Sequence, residues 1–477
     1  MCGIIGIIGS ENVSEELFIG MLNLQHRGQD AAGILTFKEN FYVKKGLGLV
    51  ERIFNKKNLE ELPGEIGIGH NRYPTAGSAF SDTQPFFLTY PYGVGMVHNG
   101  NIINYLSLKK YLKEKKKRIT YTDNDLEIML NLFSDKLTTS HFSEEVIFKA
   151  VKEVFKKAKG GYSVVGIVGD KGLFAFKDPR SMRPLIMGEK IKDGKKSYAF
   201  ASEDVVFNSL EYKVVRDLKA GEVVFIDKNL KIHSEVLTNS KEKPCMFEWV
   251  YLARPESVIN GMSVYKARLS LGKELAKKLK GIKADLIIPV PDTSRTAALS
   301  LSEELGIPYR EGLIKNRYIG RTFIMSSAQE RENAVRLKLN VVYSEISGKD
   351  IIVVDDSIVR GTTSKKIVRL LKSSGARNVY FVATCPLLKY PCYYGIDFPS
   401  ASELIAFRKN EDEIKKEIRA DLLFYQDLKS LFAVLGKNIC KACLDGNYPT
   451  DIRDAKVFEK ERLRDRKCAK KIEYAKI

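Results

Sequence analysis

The strongest constraint on the fold is a change of pattern near residue 240. From residue 2 to 238 the apolar residues fall in many short β-type runs: CGIIGIIG, AAGILTF, FYVKKG, IGIGHNRY, YGVGMVHNG, YSVVGIVG, GLFAFKD, YAFASE and GEVVFID. Helical patterns interrupt them near 14–25 and 124–158. Strands gathered in runs with helices between predict a layered α+β domain. TNSKEKP (238–244) is polar, ends in proline and marks a boundary. Beyond it, strand and helix alternate. YKARLSLGKELAKKLK, TAALSLSEELG and TTSKKIVRLLKSSG are helical, while ADLIIPVPD, KDIIVVDDSIVRG and ARNVYFVATCP are strands running into loops. Such alternation builds a parallel α/β sheet. From about residue 433 the pattern turns helical and basic. The expected units are therefore 2–238, 245–432 and 433–477.

A chain of 477 residues, 44% hydrophobic and 29% charged, has room for two domains with sizeable cores. No run approaches the ~18 apolar residues of a membrane span. MCGIIGIIG lacks the basic flank and cleavage site of a signal peptide. A cytoplasmic protein with no membrane partner is expected. Seven cysteines, an odd number, argue against a disulfide framework and for metal, cluster or catalytic thiols. Lysine and arginine exceed the acids by 78 − 59 = 19. The excess fits an anionic small substrate or nucleic acid. Much of it lies in runs such as KKYLKEKKKR (109–118) and RDAKVFEKERLRDRKCAKK (453–471), which read as solvated helix faces. No RNA-binding signature accompanies them, so no nucleic-acid partner is expected.

Four short stretches carry the chemistry of the first half. Once Met1 is removed, Cys2 holds a free amine and a thiol on one carbon. An α-amine titrates about two units below lysine, so it can take the thiol proton and release a thiolate nucleophile. In GHNRYPTAG (69–77), Arg72 follows a strand and suits a carboxylate clamp. In VHNGNI (97–102), the Asn99 amide and the Gly100 backbone N–H suit an oxyanion hole. In TDNDLEIML (122–130), Asp125 opens a helix and suits a substrate ammonium. The second half offers IIVVDDSIVRGTTSKK (351–366). There a buried strand ends in Asp355 and Asp356, and Gly361, Thr362 and Thr363 open a helix suited to a phosphate. Paired acids at that place suit ribose hydroxyls and a hydrated Mg²⁺. KNICKACLDG (437–446) adds a CxxC at Cys440 and Cys443, which by itself reads as a zinc half-site, a redox pair or two cluster ligands.

MCGIIGI, LQHRGQDAAGI, HNRYPTAG and HNGNI resemble the glutamine amidotransferase domain of the N-terminal-nucleophile class, whose layers are αββα. The resemblance implies that Cys2 attacks the glutamine side-chain amide, forms a thioester and releases ammonia. It also implies that Asn99 and Gly100 stabilise the oxyanion, that Arg72 and Asp125 hold the amino-acid end, and that Arg27 shapes the pocket. Maturation would then need only methionine removal, with IIGII as the buried strand that fixes the amine.

VVDDSIVRGTTS resembles the phosphoribosyl pyrophosphate (PRPP) signature of type I phosphoribosyltransferases. With CMFEWVYLARPES, IPVPDTSRTAA and KNRYIGRTFI…RLKLNVV, nearly the whole chain resembles the amidophosphoribosyltransferase family, in its iron–sulfur-cluster-containing type. That implies displacement of pyrophosphate from PRPP by glutamine-derived ammonia to give 5-phosphoribosylamine, the first committed step of purine synthesis. By the same resemblance, Ser357, Arg360, Gly361, Thr362 and Thr363 bind PRPP beneath a lid (315–342) carrying Arg321 and Lys338. Thr293, Asp355 and Asp356 would hold one Mg²⁺ per subunit. Cys245, Cys392, Cys440 and Cys443 would hold one [4Fe–4S] cluster, with Cys385 and Cys468 ordinary residues. A homotetramer inhibited by purine nucleotides is likewise implied. Other glutamine-dependent synthases, for hexosamine phosphate or asparagine, would lack VVDDSIVRGTTS. A non-enzymatic regulator would show damage at Cys2 or the acid pair, and both are intact.

Overall fold

The strand Gly3–Ile8 (β1) sets the architecture of the first half. All six residues are buried, so both faces need a cover. Ile5 and Ile7 join Leu17, Met21, Ala32 and Phe207 in one core. Ile4 and Ile8 point the other way, among Val97, Val165, Ile167 and Phe200. A computed structural model describes residues 2–9, 11–73, 80–138, 141–316, 339–398, 400–460 and 462–464.

The chain continues through Ala31–Phe37 (β2), Phe41–Leu47 (β3), Ile66–Arg72 (β4), Phe86–Leu88 (β5) and Val94–Ile102 (β6). After intervening helices come Gly160–Val168 (β7), Gly172–Lys177 (β8), Ile186–Lys192 (β9) and Lys195–Ala201 (β10). Lys213–Asp217 (β11), Glu222–Asp227 (β12) and Ile232–Val236 (β13) complete this half. They form two sheets, β11-β9-β10-β1-β4-β2-β3 and β13-β12-β8-β7-β6-β5. The sheets stack through the Ile4/Val165 core, and a Cβ on Gly6 would meet Val165 Cγ1 at 2.4 Å. Glycine there permits the close approach. Helices Ser14–Asn23 and Val205–Leu210 cover the first sheet, and Asp125–Lys136 with Glu144–Lys157 cover the second. The result is the expected αββα stack.

The second half follows through a short hairpin, Val258–Ile259 (β14) and Met262–Ser263 (β15), and then Leu286–Pro289 (β16). Next come Leu313–Lys315 (β17), Leu339–Val341 (β18), Asp350–Asp355 (β19), Asn378–Ala383 (β20) and Leu422–Tyr425 (β21). β16-β19-β20-β21 is a parallel sheet. Ile351 and Val353 of β19 pack on Ile367, Leu371 and Ile414, while Ile352 and Val354 pack on Leu275, Ala298 and Leu301. The sheet is thus covered on both faces, as a continuous apolar strand requires. β17 and β18 pair antiparallel on either side of the expected lid, whose Arg321 and Lys338 lie outside the described residues.

Three details differ from the sequence reading. The helical stretch 124–158 is two helices, and a further helix, Tyr105–Lys116, carries the basic run outward while Leu108 and Leu112 are buried. Strands β5, β9, β11 and β13 escape a reading by apolar pattern. β11 and β13 are sheet edges, largely exposed, and edges carry little hydrophobic signal. The C-terminal extension is also less helical than expected. Between 436 and 454 the one helix is Ala442–Asp445, and helical residues resume at 455–460. Gly436 and Gly446, both with positive φ, interrupt this segment, and Cys440 forms a β-bridge with Cys245.

Candidate active sites

β1 carries Cys2 to the C-terminal end of its neighbour β4, where Gly3 pairs with Asn71. Its Sγ lies 3.7 Å from the Tyr73 carbonyl. Its backbone nitrogen donates to Asn99 Oδ1 at 3.2 Å. With Oδ1 so held, the buried Asn99 Nδ2 has no hydrogen-bond partner. A buried amide donor without an acceptor is costly unless a ligand supplies one. Gly100 stands at φ +150°, and a Cβ there would lie 2.1 Å from the Gly161 carbonyl. Two residues on, Ile102 N–H turns away from the β7 ladder and donates to Asp125 Oδ2 at 2.8 Å. Strand alternation places the Gly100 N–H on that same side, and β5 pairs only as far as Met96. The two expected oxyanion donors therefore stand together beside the thiol.

Asp125 begins its helix behind Asn124, which caps Leu126 N–H at 3.0 Å. Its second oxygen lies 3.3 Å from His98 Nε2. Gln84 fixes that imidazole: Gln84 Oε1 accepts the His98 N–H at 2.8 Å, so its amide must donate to Nδ1, also at 2.8 Å. Nδ1 is then the acceptor and Nε2 carries the proton toward Asp125. Neighbouring His70 is wholly buried with neither ring nitrogen hydrogen-bonded. Burial first, with the charge of Arg72 adding to it, pushes its pKa well below 6.5, so it stays neutral. Burial also lowers Arg72, which Asp82 and the Cys2 thiol favour in its charged form. The structure thus gathers Cys2, Arg72, Asn99, Gly100 and Asp125 around β4 and β6.

Arg27 is corrected. Its guanidinium is buried and bound to Glu203 through Nε and to Glu248 Oε2 through Nη2 at 2.8 Å. Glu203 also meets His26 at 2.7 Å and accepts from Ser257 Oγ at 2.6 Å and Arg254 N–H at 2.9 Å. Glu248 continues to Arg183 at 3.5 Å, and Arg183 Nε donates to the Tyr394 carbonyl at 2.8 Å. The backbone of Gly395, next in the chain, packs on that of Gly100. Arg27 therefore joins the two halves. Sequence carries no signal for its partners, because Glu203, Glu248 and Arg183 lie in unremarkable local patterns.

In the second half, Asp355 and Asp356 stand at the C-terminal end of β19. Asp356 N–H donates to Asp355 Oδ1 at 2.9 Å, and Ser357 Oγ donates to Asp356 Oδ1 at 2.6 Å. Burial and then the adjacent charge raise Asp355 well above the usual carboxylate range. Burial raises Asp356 to about 6. Buried Arg268 faces Asp356, although burial pushes its own pKa down to about 10. Sequence reading missed this arginine, which lies on the buried face of helix Val264–Leu279. β16 lies beside β19, with Pro289 opposite Val354, so Thr293 in the turn after β16 borders the acid pair. Gly361, at φ +71°, caps helix Thr362–Ser373 without any side-chain cap, leaving its first N–H groups for an anion. Arg360, expected to bind PRPP, pairs at the surface with Glu403 at 2.7 Å and lies 3.8 Å from Asp397.

The thiols of Cys245, Cys392, Cys440 and Cys443 are buried and neighbouring. Burial raises the pKa of Cys245 to about 11, and repulsion from Cys392 adds to it. Cys440 and Cys443 are raised by burial and by the other thiols. Tyr394 N–H donates to Cys392 Sγ at 3.4 Å. Among the described residues no three His, Cys, Asp or Glu side chains are placed to hold a single metal ion. Cys385 belongs to the same neighbourhood, since its raised pKa includes contributions from Asp356 and Cys245.

Comparison with known proteins now decides the family. Residues 70–209 match the model of the glutamine amidotransferase domain, and 263–395 that of the phosphoribosyl transferase domain. Amidophosphoribosyltransferase of Pseudomonas aeruginosa is 44% identical over 98% of this chain and 96% of its own. The chain belongs to the amidophosphoribosyltransferase family. The family member from Methanocaldococcus jannaschii is 42% identical, covering 97% of this chain and all of its own. The fold is likewise that of the Bacillus subtilis glutamine PRPP amidotransferase solved with ADP and GMP, at TM-score 0.85 and 36% identity, with 94% of this chain and 98% of that chain covered. A structure described as the allosteric regulatory enzyme of purine biosynthesis has TM-score 0.87 and 36% identity, with 96% and 99% covered.

Proposed function

We propose that this amidophosphoribosyltransferase hydrolyses glutamine at Cys2 and passes the ammonia to PRPP at the Asp355–Asp356 site. The observation that carries the reading is Asn99: one amide oxygen tied to the Cys2 nitrogen, one buried amide donor without an acceptor. With Met1 removed, the Cys2 amine takes the thiol proton and sulfur attacks the glutamine amide carbon. The carbonyl oxygen becomes an oxyanion facing Asn99 Nδ2 and the Gly100 N–H. The protonated amine gives its proton to the leaving nitrogen, the C–N bond breaks, and ammonia departs from a thioester that water then hydrolyses to glutamate. Arg72 and Asp125 hold the carboxylate and ammonium of the substrate.

In the second half, ammonia attacks carbon 1 of PRPP and the bond to pyrophosphate breaks. The helix N-terminus at Gly361–Thr363 holds the 5-phosphate, and the acid pair orients the ribose hydroxyls. Thr293, Asp355 and Asp356 fit a Mg²⁺, because burial raises both carboxylates, the charge of Asp356 adds to the rise at Asp355, and one arginine faces the pair. Bound there, the ion would offset the charge of the leaving pyrophosphate. The four thiols fit a [4Fe–4S] cluster: thiolates so buried need a cation to exist, and Arg183 is the charge already beside Cys245, Cys392 and Cys440. The cluster would fasten the tail to the second half. Inhibition by purine nucleotides is supported by the ADP and GMP in the Bacillus subtilis relative, and a homotetramer completes the reading.

The test is an assay of purified protein with glutamine, PRPP and Mg²⁺. Glutamate release that PRPP stimulates is expected, and release indifferent to PRPP would sink the reading. Anaerobically purified protein should be brown, with about four irons per chain.

A further inference from the structure

We propose that a cleft between the first half and the tail, separate in its lining from both candidate active sites, binds the phosphate chain of an organic polyphosphate. The cavity measures about 1000 Å³ and lies among helix Glu144–Lys157, the loop after β8, residues 237–240 and residues 449–451 of the tail. None of the residues assigned above to glutamine, PRPP or the thiols lines it. Its wall carries Lys136, Lys149, Lys152, Lys156, Lys159 and Arg180. Among the described residues only Lys149 has a carboxylate at ion-pair distance, Glu145 at 3.5 Å, and that pair is largely exposed.

The acids of the cleft are already engaged elsewhere. Glu153 pairs with Lys157 at 3.5 Å. Asp178 accepts the backbone N–H groups of Arg180 at 2.7 Å, Met182 at 2.9 Å and Tyr162 at 3.1 Å. Asp451 holds Arg453 at 2.6 Å. A cleft with cations of one sign and engaged acids concentrates field lines and draws anions.

Positions 149, 152 and 156 share one helix face, and seven residues of helix span about 10 Å. That is longer than a single phosphate and close to the length of a triphosphate. Phe155 and Leu237 line the same space and give an organic moiety an apolar surface. The ligand class is therefore a polyphosphate with an apolar end, and its occupancy would tie residues 449–451 to the helix.

The experiment titrates inorganic tripolyphosphate into the full-length protein by calorimetry, with PRPP and Mg²⁺ saturating so that the catalytic anion site is filled. One saturable site per chain is expected, weakened at least tenfold in the double variant K152E/K156E and two- to fivefold in Arg180→Ala. Turnover of glutamine and PRPP without tripolyphosphate should be unchanged in the lysine variant, which separates this cleft from the catalytic reading. Equal affinity in the variants, or binding seen only when PRPP is absent, would overturn the proposal. So would a single-stranded oligonucleotide that binds more tightly and displaces tripolyphosphate, because the cleft would then be part of a nucleic-acid surface.

Discussion

The nucleophile pocket and the acid pair are built on opposite electrostatic terms. Around Cys2 and its supports, buried charges alternate in sign: Glu203, Arg27, Glu248 and Arg183 form a chain, with the His26 ring hydrogen-bonded to Glu203 at its end. At Asp355 and Asp356, two like charges share one strand end with one arginine opposite. The first arrangement is complete within the protein and holds the pocket ready before glutamine arrives. In the proposed function, the second is completed by a cation and an anionic substrate arriving together. Preorganisation belongs to the covalent step, and assembly on demand to the transfer step.

Substitutions test that contrast in order of effect. Cys2→Ala should lower glutamine-dependent synthesis by about 10⁴-fold or more. Synthesis from high ammonia at elevated pH should persist, and loss of both activities would refute the division of labour. Asn99→Ala removes one oxyanion donor and should lower kcat for glutamine by about 10²–10³-fold with KM nearly constant. A change confined to KM would place Asn99 in ground-state binding instead.

Glu248→Ala leaves Arg27 and Arg183 short of a carboxylate and should cost about 3–5 kcal/mol in denaturant unfolding. An unfolding midpoint equal to that of the unaltered protein would show that the chain of charges does not hold the halves together. For the acid pair, Mg²⁺ with PRPP should raise the melting temperature by several degrees through mass action. Asp356→Asn should remove most of that rise, while glutamine hydrolysis measured without PRPP stays unchanged.

The smallest effect is the pH dependence of the charge chain. Burial pushes Glu203 upward, but Arg27, His26 and their hydrogen bonds outweigh it and hold its carboxyl well below the usual range. A carboxylate depressed in the folded state binds its proton more readily when unfolded. Its contribution is therefore complete above about pH 4.5 and fades as pH falls further. Unfolding midpoints measured from pH 6 down to 3 should decline, and Glu203→Gln should flatten the curve. A midpoint independent of pH across that range would contradict the assignment.

Much of the molecule was legible in order along the chain. GIIGII, doubly buried, and IIVVD, a continuous apolar run ending in acids, each state their layer by apolar pattern. Cys2, Asn99–Gly100 and Asp355–Asp356 were readable because their chemistry is carried by neighbours in sequence. Strands β9 and β11 were not, since their register comes from sheet neighbours rather than from their own residues. Arg27 and Arg360 were legible as residues, but their ion-pair partners were not. A guanidinium reaches far, and only the folded chain showed Glu203, Glu248 and Glu403 within its grasp.

By itself the sequence determined the two kinds of sheet and singled out the candidate nucleophile, oxyanion pair and acid pair. Each rests on local periodicity or on groups within a few residues of one another. Tertiary structure decided the ionic chain between the halves, the meeting of Gly395 with Gly100, the gathering of four thiols from three segments, and the cation-lined cleft. Those depend on separations of up to several hundred residues, and no local pattern encodes which distant charge will be the one that burial leaves as a partner.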